Sequence, residues 1–131
     1  PGKADFASDF ADFASDSGFP LVPLDGYRPD HEVVIPALTI DPDRRTPIVP
    51  VIIDTGREPT PTHADAWRLG TLLRAYVETR PVDERIVVVG TGGLSHWLGV
   101  PEMGRVNEAF DRAVIDTIID ERGTELARWS A

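Results

Sequence analysis

Arg85-Ile86-Val87-Val88-Val89-Gly90-Thr91-Gly92-Gly93-Leu94-Ser95-His96 runs from a β-branched stretch through a glycine-rich turn to an imidazole. Three consecutive valines predict a strand buried on both faces, because an alternating polar position would be expected if one face met water. Pro47-Ile48-Val49-Pro50-Val51-Ile52-Ile53 has the same character, although Pro50 removes a donor from its first half. Between the two runs, Pro61 and a Thr62-x-x-Asp65 signal open a helix. Leu69, Leu72, Leu73, Tyr76 and Val77 follow at i, i+3, i+4, i+7 and i+8, and Pro81 closes it. Residues 48–90 therefore predict strand, helix and strand joined by a right-handed crossover. The expected fold class is α/β, a mostly parallel sheet flanked by helices, present as part of a domain.

Working outward, a last helix is expected from about Arg105 to Glu121, where Val106, Phe110, Ala113, Val114, Thr117 and Ile118 keep helical spacing and Gly123 supplies a stop. Upstream, residues 18–47 are rich in Pro, Asp and Gly. Their apolar pieces Phe19–Leu24 and Val33–Ile40 suit strands or extended loops. Residues 4–16 read ADFASDF-ADFASD, a seven-residue repeat of four residue types. Phe6, Phe10 and Phe13 would share one face of a short amphipathic helix. The competing reading treats residues 1–17 as a low-complexity segment foreign to the domain, which would then occupy 18–131.

The 131 residues fit one domain with enough apolar content, 41%, to form a core. Asp and Glu number 22 against 13 Lys and Arg, and a net charge of −9 repels phosphate backbones and anionic lipid, so nucleic acid and membrane are excluded as expected partners. With no cysteine there are no thiolate metal sites or thiol nucleophiles. No apolar run approaches the ~18 residues of a membrane span and no secretion signal is visible, so a cytoplasmic setting is expected. The chain begins at Pro1 and is read as a piece of a longer polypeptide.

The turn Gly90–Gly93 follows the carboxyl end of an expected strand, where ligands collect in open α/β sheets. Three glycines allow close backbone approach, and His96 would then stand at the crevice, with an imidazole able to take and return a proton near neutral pH. By composition alone, a hydrogen-bonding loop histidine after an ordinary turn is the commoner arrangement. A phosphate loop is disfavoured, since no Gly-Lys-Ser/Thr follows. Ser95 lacks an elbow motif and is not expected to be a nucleophile.

The run from Val87 to Asp111, Val-Val-Val-Gly-Thr-Gly-Gly-Leu-Ser-His-Trp-Leu-Gly-Val-Pro-Glu-Met-Gly-Arg-Val-Asn-Glu-Ala-Phe-Asp, resembles the corresponding run of class III extradiol ring-cleaving dioxygenases of the protocatechuate 4,5-dioxygenase type. Upstream, Val49-Pro50-Val51, Pro59-x-Pro61 and Arg68-Leu69-Gly70-x-Leu72-Leu73-Arg74 are similar to the strand, loop and helix that precede that motif, so the resemblance covers roughly residues 47–118. It implies that the chain is a C-terminal portion of such an enzyme. The implied chemistry is cleavage of a catecholic aromatic such as protocatechuate by dioxygen, with non-haem Fe(II) as cofactor. It also implies that His96 is the catalytic acid/base, with Thr91, Gly92, Gly93 and Ser95 binding substrate, and that the protein forms a homo-oligomer or pairs with a small helical subunit.

Two features depart from the family pattern. The iron-binding histidines of the family lie in an N-terminal half without a counterpart here, so the metal ligands are unassigned. His31 and His63 are read as surface residues, and Glu125 as a helix-surface carboxylate. Asp16-Ser17-Gly18, leading into Val22-Pro23-Leu24, is similar to a family segment that carries a histidine where Ser17 stands. The alternative function is a non-catalytic scaffold or subunit of the same family that lacks the iron site. A nucleotide-binding α/β domain is a weaker third.

Overall fold

The computed structural model describes residues 2–95, 97 and 99–129. Its elements are α1 (Ala4–Asp16), α2 (His31–Ile40), α3 (His63–Glu78), α4 (Glu108–Ile119) and a 3-10 helix at Gly123–Arg128. Two compact units divide the chain. The first comprises residues 1–54 and 69–91, the second residues 55–68 and 92–131.

The first unit is built around Tyr76. The repeat folds as α1, and its i, i+4 and i+8 positions Phe6, Phe10 and Ala14 are buried. Phe6, Phe10 and Phe13 surround the Tyr76 ring at centroid distances of 5.1, 5.3 and 5.6 Å. Leu21, Val49, Leu69, Leu72, Leu73 and Ile86 pack against this cluster. Phe10 is the most enclosed of the aromatics, at 2% exposure. Burying such a side chain stabilises a fold by about 1.5–3 kcal/mol. Arg80 donates to the Tyr76 hydroxyl at 3.2 Å and lies over the Phe6 and Tyr76 rings. It also donates from Nε to Glu84 Oε2 at 2.7 Å, and Lys3 pairs with the other Glu84 oxygen. These two cations hold the Glu84 carboxyl down at about 2. Burial raises the Tyr76 hydroxyl above the ordinary tyrosine value, with the nearby Arg80 charge opposing.

α1 ends where Gly18 takes φ 71°, with Phe19 N–H donating to Ala14 O and Gly18 N–H to Ser15 O, both at 2.8 Å. That is the glycine-terminated helix stop, and glycine adopts the left-handed conformation without a Cβ clash.

The expected mostly parallel sheet does not form. Among the described residues there is no named strand, and the one isolated bridge joins Gly2 and Ile48 in parallel. Val87 and Val88 are 80% and 66% exposed, and Val51, Ile52 and Ile53 are also exposed. An uninterrupted apolar run records that both faces want cover, but ladder partners are non-local and cannot be inferred from the run itself. Residues 33–40 correct a second expectation by being helical within α2. The Asp30 side chain accepts from Glu32 N–H at 3.0 Å, and this N-cap outweighs the β-branched run Val33-Val34-Ile35.

α3 starts as its sequence predicts. Thr62 Oγ1 accepts from Asp65 N–H at 3.1 Å, while Asp65 Oδ2 accepts from Thr62 N–H at 2.9 Å and from the Thr62 hydroxyl at 2.6 Å. These bonds from Thr62 lower the Asp65 carboxyl below its ordinary value. The helix contributes residues up to Arg68 to the second unit and from Leu69 onward to the first.

In the second unit α4 buries Val114 and Thr117. Phe110 meets the Trp129 ring edge-on at 6.1 Å, and His63 Nδ1–H donates to the Trp129 carbonyl at 3.0 Å. α4 stops before the expected Gly123. Glu121 takes φ 59°, with Arg122 N–H donating to Thr117 O at 3.0 Å and Glu121 N–H to Ile118 O at 3.1 Å, the same closing pattern as at Gly18 but on a residue with a Cβ. Gly123 instead opens the 3-10 helix.

Candidate functional site

The loop entering α4 is held by side chains from the helix's first turn. Asn107 is the N-cap, its Oδ1 accepting from Phe110 N–H at 3.2 Å, and Asp111 N–H donates to Asn107 O at 2.9 Å. Ser95 joins this cap. Its hydroxyl donates to Asp111 Oδ2 at 2.8 Å and accepts from Asn107 N–H at 2.9 Å. A hydrogen bond to an ionised carboxylate is shorter and stronger than a neutral one, and the carboxylate also lies near the positive end of the helix dipole. Asp111 Oδ1 is buried and has no hydrogen-bond partner among the described residues.

Gly92 has φ 104°, a conformation that L side chains rarely adopt, so the turn at this point requires glycine. Thr91, Gly92 and Gly93 are exposed, and Ser95 is half-buried. His96 lies outside the described residues, as does Leu98. Further along the loop, Gly99 and Gly104 also have positive φ, and two tight turns are closed by Met103 N–H to Val100 O and Arg105 N–H to Glu102 O, each at 3.0 Å. An open groove of about 460 Å³ runs along α4, lined by Val106, Glu108, Ala109, Asp111, Arg112 and Ile115.

No group of three or more His, Cys, Asp or Glu side chains among the described residues could hold a metal ion. The described residues therefore do not form an Fe(II) site. His31 is exposed beside Asp30, with Nδ1 at 3.5 Å from Oδ1. His63 is exposed and bonded to the Trp129 carbonyl. Glu125 accepts from Arg122 at 2.7 Å in an exposed pair, in keeping with a surface carboxylate. Asn107 and Asp111 stand within the run that carries the family resemblance, yet sequence reasoning assigned them no role. An Asn followed by acidic residues in a first helical turn signals the cap, but the link from Asp111 to Ser95 spans 16 residues and has no local signature.

No helix among the described residues is long and apolar enough to cross a membrane. Comparison with solved structures gives no match. Among curated proteins, a 2,3-dihydroxyphenylpropionate/2,3-dihydroxicinnamic acid 1,2-dioxygenase of Photorhabdus laumondii is 29% identical over 110 residues, covering 83% of this chain and 34% of the relative. A gallate dioxygenase of Pseudomonas putida is 31% identical over 74 residues, 56% of this chain and 22% of the relative. A 2,3-dihydroxyphenylpropionate/2,3-dihydroxicinnamic acid 1,2-dioxygenase of Xanthobacter autotrophicus is 35% identical over 71 residues, 54% of this chain and 22% of the relative. The chain spans at most about a third of the length of these relatives. The family model for the catalytic LigB subunit of aromatic ring-opening dioxygenase matches residues 1–131. The chain belongs to that family.

Proposed function

We propose that the full-length protein carrying this chain opens the ring of a catecholic aromatic with dioxygen, and that His96 is its acid/base group. The observation that carries this reading is the family match across residues 1–131, with Gly90-Thr91-Gly92-Gly93-Leu94-Ser95-His96 inside it. The relatives are named for gallate and for 2,3-dihydroxyphenyl acids. Protocatechuate, gallate and 2,3-dihydroxyphenylpropionate are the substrates to try first.

In this reading the imidazole accepts a proton from a ring hydroxyl, making that oxygen more electron-rich, and returns a proton to oxygen later in the same turnover. A group with a pKa near neutrality can do both. Thr91, Gly92 and Gly93 would face the substrate, where the absence of side chains at Gly92 and Gly93 permits close approach, whereas Ser95, also expected to bind substrate, has its hydroxyl engaged by Asp111 and Asn107. Fe(II) is the cofactor that the family resemblance favours. The described residues supply no ligand set for it, so the chemistry assigned to this chain is confined to proton movement.

The test is anaerobic Fe(II) titration of the full-length protein, followed by addition of each catechol with oxygen and measurement of oxygen uptake together with the absorbance of the ring-opened product. His96→Ala should retain fold and iron content while turnover falls by ~10² or more, as for lost acid/base catalysis. A full-length protein that takes up no iron and opens none of the three rings would be the scaffold instead.

A further inference from the structure

Resting on the reading of His96 as the acid/base group, we propose that Asp111 is a positioning residue for it, acting through Ser95. A proton-transfer side chain has to be held close to its productive geometry, and small displacements cost large factors in rate. The segment before His96 is poorly suited to that by composition, because Gly90, Gly92 and Gly93 give it wide backbone freedom. Ser95, one peptide bond before His96, is where that freedom ends. Its hydroxyl is fixed at two points, the Asp111 carboxylate at 2.8 Å and the Asn107 N–H at 2.9 Å. The partners are the N-cap and a first-turn residue of α4, so the clamp transfers the rigidity of a helix to the loop.

The carboxylate is better suited to this than a neutral acceptor. Ser95 has one proton to donate, and Asp111 Oδ2 takes it, leaving a hydroxyl lone pair for Asn107 N–H. The clamp thus has a fixed polarity in which the serine cannot turn round. Asp111 Oδ1 is left buried without a partner among the described residues, an arrangement that a purely structural cap does not require. Its cost is tolerated, in this proposal, because the carboxylate holds the loop.

Two measurements on the full-length protein test this. Amide hydrogen exchange should show residues 92–97 opening ~10-fold more readily in Asp111→Ala than in wild type, since the loop loses its charged anchor. Steady-state kinetics across pH should show kcat falling ~10-fold in Asp111→Ala and Ser95→Ala, KM changing less than ~2-fold, and the double variant no worse than either single one, as for residues acting through one chain of contacts. Asp111→Asn, which can still accept from Ser95, should recover most of the loss. Multiplicative losses in the double variant, unchanged exchange in 92–97, or a loss equal in Asp111→Asn and Asp111→Ala would overturn the positioning role. If wild type opens catechols and His96→Ala is inactive while Asp111→Ala is normal, the inference fails and the proposed function stands. If His96→Ala turns over normally, the function reading fails, and the inference with it.

Discussion

The Tyr76 ring meets the Phe6 ring edge-on, with centroids 5.1 Å apart and planes at 82°. One partner comes from a repeat of four residue types and the other from a well-formed amphipathic helix, and together with Phe10 they form the buried cluster of the first unit. The low-complexity composition of residues 4–16 does not keep that segment out of a core.

Phe10→Ala is accordingly expected to destabilise the protein by about 3–5 kcal/mol, as for removal of an enclosed aromatic, whereas Asp12→Ala on the exposed side of the same helix should change stability by less than about 0.5 kcal/mol. Urea denaturation followed by circular dichroism measures both. Equal effects would mean that α1 does not contribute its phenylalanines to the core in solution.

Stability should also fall in acid through Glu84. Its folded-state value of about 2 lies below the ordinary 4.5, owing first to the Arg80 bond and then to Lys3. A depressed acid contributes stability above its unfolded value and loses that contribution as pH falls toward the folded value. The window is therefore pH 4.5 down to about 2. Glu84→Gln should be less stable than wild type at pH 7, and the two urea midpoints should converge as the pH is lowered through that window. Parallel curves would show that the carboxylate is not paired in solution.

The start of α3 gives a local test. Thr62→Ala removes the hydroxyl bonded to the Asp65 N–H and carboxylate, Asp65→Ala removes the carboxylate bonded to the Thr62 N–H and hydroxyl, and only the hydroxyl–carboxylate bond is lost in both. Each should cost about 1 kcal/mol, and the double variant should cost more than either but less than their sum, because one bond is common to both. Strictly additive losses in thermal or urea melts would count against the hydroxyl–carboxylate bond, and no loss in either single variant would count against the cap itself.

At the end of α4, Glu121 holds φ 59° in a position where Gly18 serves α1. Glu121→Gly should raise stability by about 0.5–1 kcal/mol by removing the left-handed penalty. Glu121→Val should lower it, since branching at Cβ is least tolerated there. Thermal melts of the pair settle the sign.

What the sequence reveals of this fold divides along the range of the interactions. The start of α3 is legible because Thr62 and Asp65 are three residues apart, and α4 because its apolar spacing is local too, although the Asn107 cap starts it later than the expected Arg105. The end of α4 is less so, since any residue that tolerates positive φ can stand where Gly123 was expected to act, and Glu121 does. The sheet is not legible at all. Val87, Val88 and Val89 have strand-like side chains, but pairing depends on segments distant in sequence, and no ladder forms among the described residues. In the candidate site the glycine turn is visible from composition, whereas the bond from Asp111 to Ser95 closes across a long loop and leaves no periodic trace.

The bare stretch Ile86-Val87-Val88-Val89 bears on how the molecule behaves in a tube. It carries no charge and no proline, and its valine side chains face water, the makeup of segments that seed cross-β aggregates. Pro50 interrupts the comparable run at 48–53, and Arg85 guards one side of the valines, so clumping should begin at 86–89 and grow steeply with concentration. A single lysine in place of Val88 should keep the preparation clear at strengths where the native sequence turns cloudy.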